Sequence, residues 1–155
     1  MTFAVIRVRG SLNIKPEIKE TLRLLRLNRV NHCVLLPQTP EYVGMVRKVK
    51  DYVTWGEVDQ EIMEKLIGAR GRTEGDRPID EKVIRERSDF KNIKEMSSAI
   101  IEGSFQYSGL DGVKPIFRLP PPRKGGYEGI KRSFVNGGAL GYRGDKINAL
   151  LDRMI

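Results

Sequence analysis

Residues 1–56 alternate between short β-branched runs and amphipathic helices, and this alternation restricts the possible folds more than any other feature. The runs Phe3–Arg9 and Val30–Leu36 have the length and composition of strands. A third strand is predicted over Tyr52–Trp55 and is closed by Gly56. The resulting β-α-β-α-β order predicts an α+β core in which two helices pack on one side of a small sheet.

Both helices of this core have clear start signals. Pro16 lies where a first helical turn tolerates a missing N–H, and the acidic residue after it suits the positive end of the helix dipole. Thr39, Pro40 and Glu41 combine a hydroxyl N-cap, a proline at the first helical position and an early acid. We therefore expect one helix from position 16 to about position 27 and a second from position 40.

The segment 57–112 has the apolar spacing of several helices. One is predicted over residues 62–67 with a stop near Gly68, a second begins after Asp80, and a third ends at Gly103. Gly68 and Gly71 also have the glycine spacing of the loop that binds nucleic acid in KH modules. Because the rest of that module is missing around them, a helix-stopping turn is the preferred interpretation.

The segment 113–155 has a different character. Residues 116–119 look extended, and the run PPPRKGG and several glycines then lead to a final apolar helix that includes Ile147. Between Lys114 and Arg143 seven side chains are basic and one, Glu128, is acidic. With few large apolar side chains, this stretch cannot bury enough surface to fold alone. We therefore expect an extended basic arm that becomes ordered on a partner, followed by a docking helix.

The formal net charge of the chain is +8, from 28 Lys and Arg residues against 20 Asp and Glu residues. Residues 1–56 carry a net charge of +6, residues 57–105 carry −3 and residues 106–155 carry +5. Such a balance indicates a polyanionic partner, with nucleic acid favoured over an anionic membrane surface. We expect the polyanion to meet both ends of the chain and the acidic middle to face away from it.

Three basic clusters are candidates for contact with that polyanion. They are a helical stripe at spacings of four, four and three, a second group near the end of the second helix, and the PPPRKGG region: Lys15, Lys19, Arg23 and Arg26; Arg47, Lys48 and Lys50; and residues 123–132. Lys and Arg contacts with phosphates drive binding through the release of counterions. Gly44, inside the second helix, indicates either close approach of a partner or tight packing between helices.

The sequence offers no catalytic or metal-binding constellation. His32 and Cys33, the one histidine and the one cysteine, are adjacent on a predicted strand and point to opposite faces, so they cannot act as a dyad or form a Cys/His zinc site. No run approaches the ~18 apolar residues of a membrane span, and the N-terminus does not look like a secretory signal. We therefore expect a non-enzyme without a cofactor, a metal site or a small-molecule substrate.

Six fragments, in this order and spacing, resemble one known family: VIRVRG, LRLLRLNRVNHCVLLP, TPEYVGMVRKV, YVTWG, PPPRKGG and FVNGGALGYRGDKIN. The family is the large-subunit ribosomal protein family called L-thirty, in its archaeal and eukaryotic form (the eukaryotic members are called L-seven). The resemblance covers essentially the whole chain. Bacterial members resemble residues 1–56 alone, and eukaryotic members carry a long basic N-terminal arm, so the resemblance implies the archaeal branch.

The resemblance implies a ferredoxin-like core and a cytoplasmic, non-catalytic constituent of the large ribosomal subunit. The partners would be large-subunit ribosomal RNA and neighbouring ribosomal proteins, with the extension reaching toward the 5S RNA region. The element pattern divides the chain into the core at 1–56, a helical extension at 57–112 and the basic arm with its helix at 113–155. From the clusters and the resemblance together, we expect RNA contacts at Arg9, Lys19, Arg23, Arg26, Arg47, Lys48, Lys50, Arg123, Lys124, Gly125, Gly126, Lys131, Arg132, Gly137, Gly138 and Arg143.

Two other functions remain open at this point. A free RNA-binding regulator or chaperone would use the same basic chemistry without being built into a particle. A ferredoxin-like module for protein interaction or small-molecule sensing would bind its partner with little dependence on salt. An acylphosphatase-type enzyme on a similar fold is a more distant alternative, because the sequence shows no arginine-bearing phosphate loop of that pattern.

Overall fold

The computed structural model describes residues 2–155, which form a five-stranded sheet with helices on both faces. The strands are β1 (Thr2–Arg7), β2 (His32–Pro37), β3 (Val53–Glu57), β4 (Ile116–Arg118) and β5 (Gly141–Tyr142). The helices are α1 (Pro16–Leu24), α2 (Pro40–Lys48), α3 (Gln60–Arg70), α4 (Glu81–Arg87), α5 (Ile93–Glu102) and α6 (Ile147–Met154). The sheet order β4-β2-β1-β3-β5 places the N-terminal strand at the centre.

The predicted β-α-β-α-β core is confirmed. β1 pairs antiparallel with both β2 and β3, so that Ile6 lies opposite Cys33 on one side and Thr54 on the other. The start signal of α2 also acts as predicted, since the Thr39 hydroxyl accepts a hydrogen bond from the backbone N–H of Tyr42 at 3.4 Å. Among the paired strands of residues 2–155, only β5 and β3 run parallel, which makes the sheet mixed.

Two apolar layers cover the sheet, and alternate residues of β1 enter opposite layers. Phe3 and Val5 pack with α1 and α2 in one layer, whereas Ala4 and Ile6 pack in the other layer with residues of the middle and C-terminal segments. Because both faces are covered, every described residue of β1 is buried. This double burial explains the nearly continuous apolar run that the sequence shows there.

The middle segment is helical, as predicted. The Asp80 carboxylate accepts a hydrogen bond from the Val83 N–H at 2.9 Å and so caps α4, and Gly103 ends α5 with a φ of 85°. α3 continues through Gly68 to Arg70, so the predicted stop near Gly68 is too early by two residues. The spacing that suggested a KH-type loop is therefore the last turn of a helix.

The C-terminal helix α6 is also confirmed, and the segment before it makes contacts inside the chain that help to order it. Ala139 and Leu140 form a small apolar cluster with Val8 and Tyr127, and the Tyr127 hydroxyl donates a hydrogen bond to the Asn31 side chain at 2.7 Å. Val8 and Asn31 come from the N-terminal segment, and the composition of the arm by itself does not reveal these partners. The structure therefore adds contacts inside the chain, and ordering of the arm on a partner stays a prediction.

Candidate nucleic-acid interface

The basic stripe of α1 is exposed along its whole length. Leu22 and Leu25 face the core, while the four basic side chains of the stripe lie in solvent: Lys15, Lys19, Arg23 and Arg26. Burial of one face fixes the orientation of the helix, so the opposite face presents its charges at set spacings. The stripe is therefore a preformed row of cations on a rigid element.

Arg23 does not stand alone in this row. Its guanidinium donates two hydrogen bonds to the Glu20 carboxylate, one of them from Nε at 2.9 Å. This bond lowers the pKa of Glu20 and raises the pKa of Arg23, and both side chains are more than half exposed. An exposed ion pair contributes little to stability. Arg23 can therefore leave the Glu20 carboxylate and bind a phosphate with little loss of protein stability.

Arg26 ends the stripe in an unusual conformation. α1 stops at Leu24, earlier than predicted, and Arg26 follows with a φ of 65°, which allows the Leu27 N–H to donate to the Leu22 carbonyl at 2.9 Å. Glycine normally occupies such a helix end, because a left-handed residue with a side chain costs roughly 1 kcal/mol or more. A long basic residue is thus held where folding alone favours glycine.

Lys124 shows the same feature in the PPPRKGG run. Five described residues other than glycine have positive φ, and three of them are Asn or Asp, which tolerate this conformation: Asn13, Asn31 and Asp76. The remaining two are Arg26 and Lys124, with φ values of 65° and 57°. Non-glycine residues held in this region concentrate at functional sites. Both positions are among the RNA contacts expected from the sequence.

We expect Arg26→Gly to stabilise the isolated protein by about 0.5–1 kcal/mol, because glycine relieves the left-handed strain. The same change removes one cation from the stripe and is expected to weaken binding to a folded RNA about five- to tenfold. Urea unfolding and filter binding measure the two effects on one preparation. A variant that is less stable, or that binds as tightly as the parent, would contradict this prediction.

The second cluster is equally open to a partner. Arg47, Lys48 and Lys50 are all exposed at the end of α2, whose opposite face is buried through Val46. Gly44 is exposed too, and no described atom beyond its own helical turn lies within 4 Å of a Cβ built there. Tight packing between helices therefore does not explain this glycine. The close approach of a partner stays as the prediction for this position.

Arg9 lies where the end of β1 meets the start of β3. Its guanidinium stacks over the Tyr52 ring at 5.3 Å from the centroid and donates to the Asp51 carbonyl at 3.4 Å. Both contacts leave the side chain partly exposed. The cation is thus oriented by an aromatic face without being neutralised by a carboxylate.

The PPPRKGG run is fixed against the end of α6 by two arginines that bond in both directions. Arg123 donates to the carbonyls of Arg153 and Asp152, at 3.2 and 3.4 Å, and so satisfies the last turn of the helix. Arg153 in turn donates to the carbonyls of Arg123, Lys124 and Gly126 at 3.2–3.3 Å. This exchange presents Lys124 and Gly125 outward as a rigid, exposed turn.

Two of the residues expected to contact RNA, Arg143 and Gly138, make packing contacts inside the chain. The Arg143 guanidinium donates to the Thr54 hydroxyl at 2.8 Å and to the Ala139 carbonyl at 2.9 Å, and it stacks over Phe134. Gly138 is buried, and a Cβ there would overlap the backbone carbonyl of Arg132. Internal packing therefore already accounts for Arg143 and Gly138, and their contact with RNA stays a prediction.

The loop that precedes these two residues keeps the remaining candidates on the surface. Lys131, Arg132 and Gly137 are exposed, and Gly137 has a φ of 81° at the end of a short 3-10 turn. Val135, at the same turn, is among the most exposed large apolar side chains of the described residues. The loop thus presents two cations beside an apolar tip.

His32 and Cys33 differ in environment, as adjacent residues of a strand should. Cys33 is fully buried, and burial raises the pKa of its thiol. Burial also lowers the pKa of His32, with smaller effects from the charges of Arg118, Arg29 and Arg7. Within residues 2–155, no group of three His, Cys, Asp or Glu side chains is placed to hold a metal ion. No helix in this range combines the length and apolar character needed to cross a bilayer.

The structure also reveals a group of basic residues that the sequence analysis did not select. Arg70, Arg72, Lys114 and Arg118 come from distant parts of the chain and line one pocket together with Asp76. The net charges of the three segments did not reveal this group, because Arg70 and Arg72 lie in the segment with a net charge of −3. A signal that could have found them is the unusual density of Arg over residues 70–77, which includes three.

Comparisons with known proteins agree with this architecture. The family described as Ribosomal protein L30p/L7e matches residues 3–53, which span β1 to the first residue of β3. Curated proteins named large ribosomal subunit protein uL30 match nearly the whole chain. Those of Methanoculleus marisnigri and Methanobrevibacter smithii are each 48% identical, over 98% and 99% of this chain and 99% of their own length. The protein of Methanocorpusculum labreanum is 45% identical over 98% of this chain and 99% of its own length. The chain therefore belongs to the ribosomal protein L30p/L7e family, as its six fragments implied.

Proposed function

We propose that this protein is a structural constituent of the large ribosomal subunit that binds and stabilises folded ribosomal RNA. Its relatives from three methanogens bear the name of a large-subunit protein and match it from end to end, which supports the placement in that subunit. The proposal requires no catalytic step from this chain.

One observation supports the RNA part of the proposal most directly. Arg26 and Lys124 keep long cationic side chains at positions where the backbone favours glycine, and both side chains are exposed. The backbone at both positions makes internal hydrogen bonds that glycine could make as well. Neither cationic side chain has a hydrogen-bond or ion-pair partner among residues 2–155, so we infer that each serves an external partner. A phosphate backbone is the partner that binds such cations favourably, because each contact releases condensed counterions.

The mechanism we propose is neutralisation of charge combined with fit to shape. The cations of α1, the end of α2 and the PPPRKGG turn all stand on elements that are fixed by the core or by α6. A fixed set of cations recognises RNA whose phosphates have matching positions, and it favours that RNA fold over looser ones. Recognition of this kind reads the shape of the RNA and not its base sequence.

Sedimentation of a native cell extract tests this function. We expect the chain to migrate with the large subunit at one copy per particle and to remain there through a moderate salt wash. A protein held only by loose charge attraction would leave in the wash, because its affinity falls steeply with salt. Release into the light fractions at low salt would contradict the proposal and would favour a free RNA-binding regulator. Binding to a protein with no dependence on salt would favour an interaction module.

The resemblance also suggests where in the subunit the protein binds. We propose that residues beyond the core reach toward the 5S RNA region and touch neighbouring ribosomal proteins there. Ultraviolet crosslinking of the sedimented particle, followed by sequencing of the attached RNA, tests this placement. Crosslinks in or beside 5S RNA would support it, whereas crosslinks confined to distant large-subunit RNA would overturn it and leave the broader function intact.

A further inference from the structure

A cavity of about 170 Å³ lies between the end of α3 and the outer edge of the sheet, away from the basic clusters of α1 and α2. We refer to it as the Asp76 pocket. Its lining consists of one apolar and five charged residues: Arg70, Arg72, Asp76, Lys114, Ile116 and Arg118.

Backbone pairing fixes the positions of these charges. The N–H of Lys114 donates to the carbonyl of Arg72 at 2.9 Å, which ties the end of α3 to the strand that leads into β4. Arg72 is held further by bonds from its own guanidinium to the carbonyls of Gly71 and Ala69, at 2.8 and 3.2 Å. Arg118 lies on β4, the edge strand of the sheet. The pocket is therefore built from rigid elements.

Four cations and a single carboxylate line the pocket. Asp76 bonds to Lys114 and lies 3.7 Å from Arg118, and the bond with Lys114, together with the surrounding cations, lowers the pKa of Asp76. The Nε atom of Arg70 is buried and has no hydrogen-bond partner among the described residues. One negative charge thus cannot match the donors and charges that surround it.

We propose that the Asp76 pocket binds a phosphate of the RNA backbone and that the Asp76 carboxylate occupies the place of that phosphate in the protein alone. The inference rests on the RNA-binding function proposed above and adds a contact within the segment that was expected to face away from RNA. A phosphate offers more acceptor oxygens than a carboxylate, and guanidinium groups pair with it through two parallel bonds.

The surroundings of the pocket favour RNA over an acidic peptide. Arg118 lies directly opposite His32 in the β2–β4 register, and the N–H of His32 donates to the carbonyl of Arg29 at 3.2 Å. Besides burial, the charges of Arg118 and Arg29 lower the pKa of His32, so these two exposed cations lie near the same side chain. A second cation near the pocket suits the repeated charges of a phosphate backbone better than a single acidic side chain.

Two variants and a matched control test the proposal in the full-length chain, with protein-free large-subunit RNA of a methanogen as the probe. We expect Arg118→Gln to weaken binding about three- to tenfold near 0.15 M salt and to reduce the slope of log K against log salt by about one. Asp76→Asn is expected to tighten binding severalfold, because it removes the competing carboxylate. Arg85→Gln is the control: Arg85 is 61% exposed and 3.6 Å from one carboxylate, whereas Arg118 is 59% exposed and 3.7 Å from one.

The results separate this inference from the function on which it rests. Salt-dependent binding by the parent protein, with Arg118→Gln no weaker than Arg85→Gln, would overturn the pocket alone. Absence of salt-dependent binding by the parent would overturn both proposals. Weaker binding by Asp76→Asn, in a protein that melts at an unchanged temperature, would show that Asp76 supports the site and does not compete for it. Loss of subunit incorporation by Arg118→Gln at unchanged RNA affinity would identify an acidic protein as the occupant and also overturn the inference.

Discussion

The double replacement Arg23→Glu and Arg26→Glu is expected to lower the affinity for large-subunit RNA by about 100-fold or more at 0.15 M salt. Two phosphate contacts are lost, and each new carboxylate is repelled by the RNA, for a combined change of about 3 kcal/mol. Both positions are exposed, so the core between α1 and the sheet stays intact. Filter binding across a range of salt concentrations measures the change, and the salt dependence is expected to become shallower.

A matched charge reversal distinguishes the stripe from the overall charge of the protein. Lys82→Glu with Arg85→Glu makes the same change in the net charge of the protein, but it does so on α4, which is another exposed helix. Arg85 is paired with Glu81 as Arg23 is paired with Glu20, so both double variants disturb one ion pair. We expect the α4 variant to bind within about threefold of the parent. If the two variants lost affinity equally, the stripe of α1 would be an ordinary solvated face.

The sequence was sufficient for those parts of the fold that local signals specify. Thr39 and Asp80 cap their helices, and Gly103 ends α5, because each of these roles depends on residues a few positions away. The order and type of the core elements followed from such signals. The strand order did not follow from them, because pairing of β1 with both β2 and β3 depends on contacts across 27 to 54 positions.

The interface was predictable to a similar extent. The stripe on α1 and the cluster on α2 follow from helical periodicity, so their exposure could be read from the sequence. The internal roles of Arg143 and Gly138 could not be predicted, because the groups that they contact, Thr54 and Arg132, become their neighbours only in the folded chain. Charge and glycine content alone do not separate a residue that awaits RNA from one that holds the protein together.

The Asp76 pocket shows the converse case, in which the sequence did not reveal basic residues that the fold brings together. Arg70 and Arg118 are 48 positions apart and belong to segments of opposite net charge. Pairing of the backbones at Arg72 and Lys114 brings them together, and a net charge averaged over a segment hides any local excess. The expectation that the middle of the chain faces away from RNA rests on that average, and the proposed pocket would be an exception to it.

Gly56→Ala is expected to destabilise the protein by about 3 kcal/mol or more, although it adds only one methyl group. Gly56 lies in β3, where the turn before α6 passes directly over it. A Cβ there would overlap the carbonyl oxygen of Gly144 and lie 3.1 Å from the Cβ of Ile147. A backbone carbonyl cannot rotate away as a flexible side chain can, so β3 and the α6 segment must separate.

Gly44→Ala provides the matched control for this substitution. It also places a methyl group on a glycine of the N-terminal core, but it does so in a helix and in open space. We expect Gly44→Ala to raise the free energy of unfolding by about 0.5–1 kcal/mol, as helix propensity predicts. Urea unfolding of both variants gives the comparison.

The consequence of Gly56→Ala for RNA binding follows from the same geometry. Displacement of α6 removes the helix end that Arg123 caps and the arginine that holds the carbonyls of Lys124 and Gly126. The PPPRKGG turn should then lose its fixed shape, so affinity should fall even in conditions where the variant remains folded. A variant that loses less than 1 kcal/mol and binds normally would mean that the backbone at Gly144 moves aside easily and that the turn is positioned without α6.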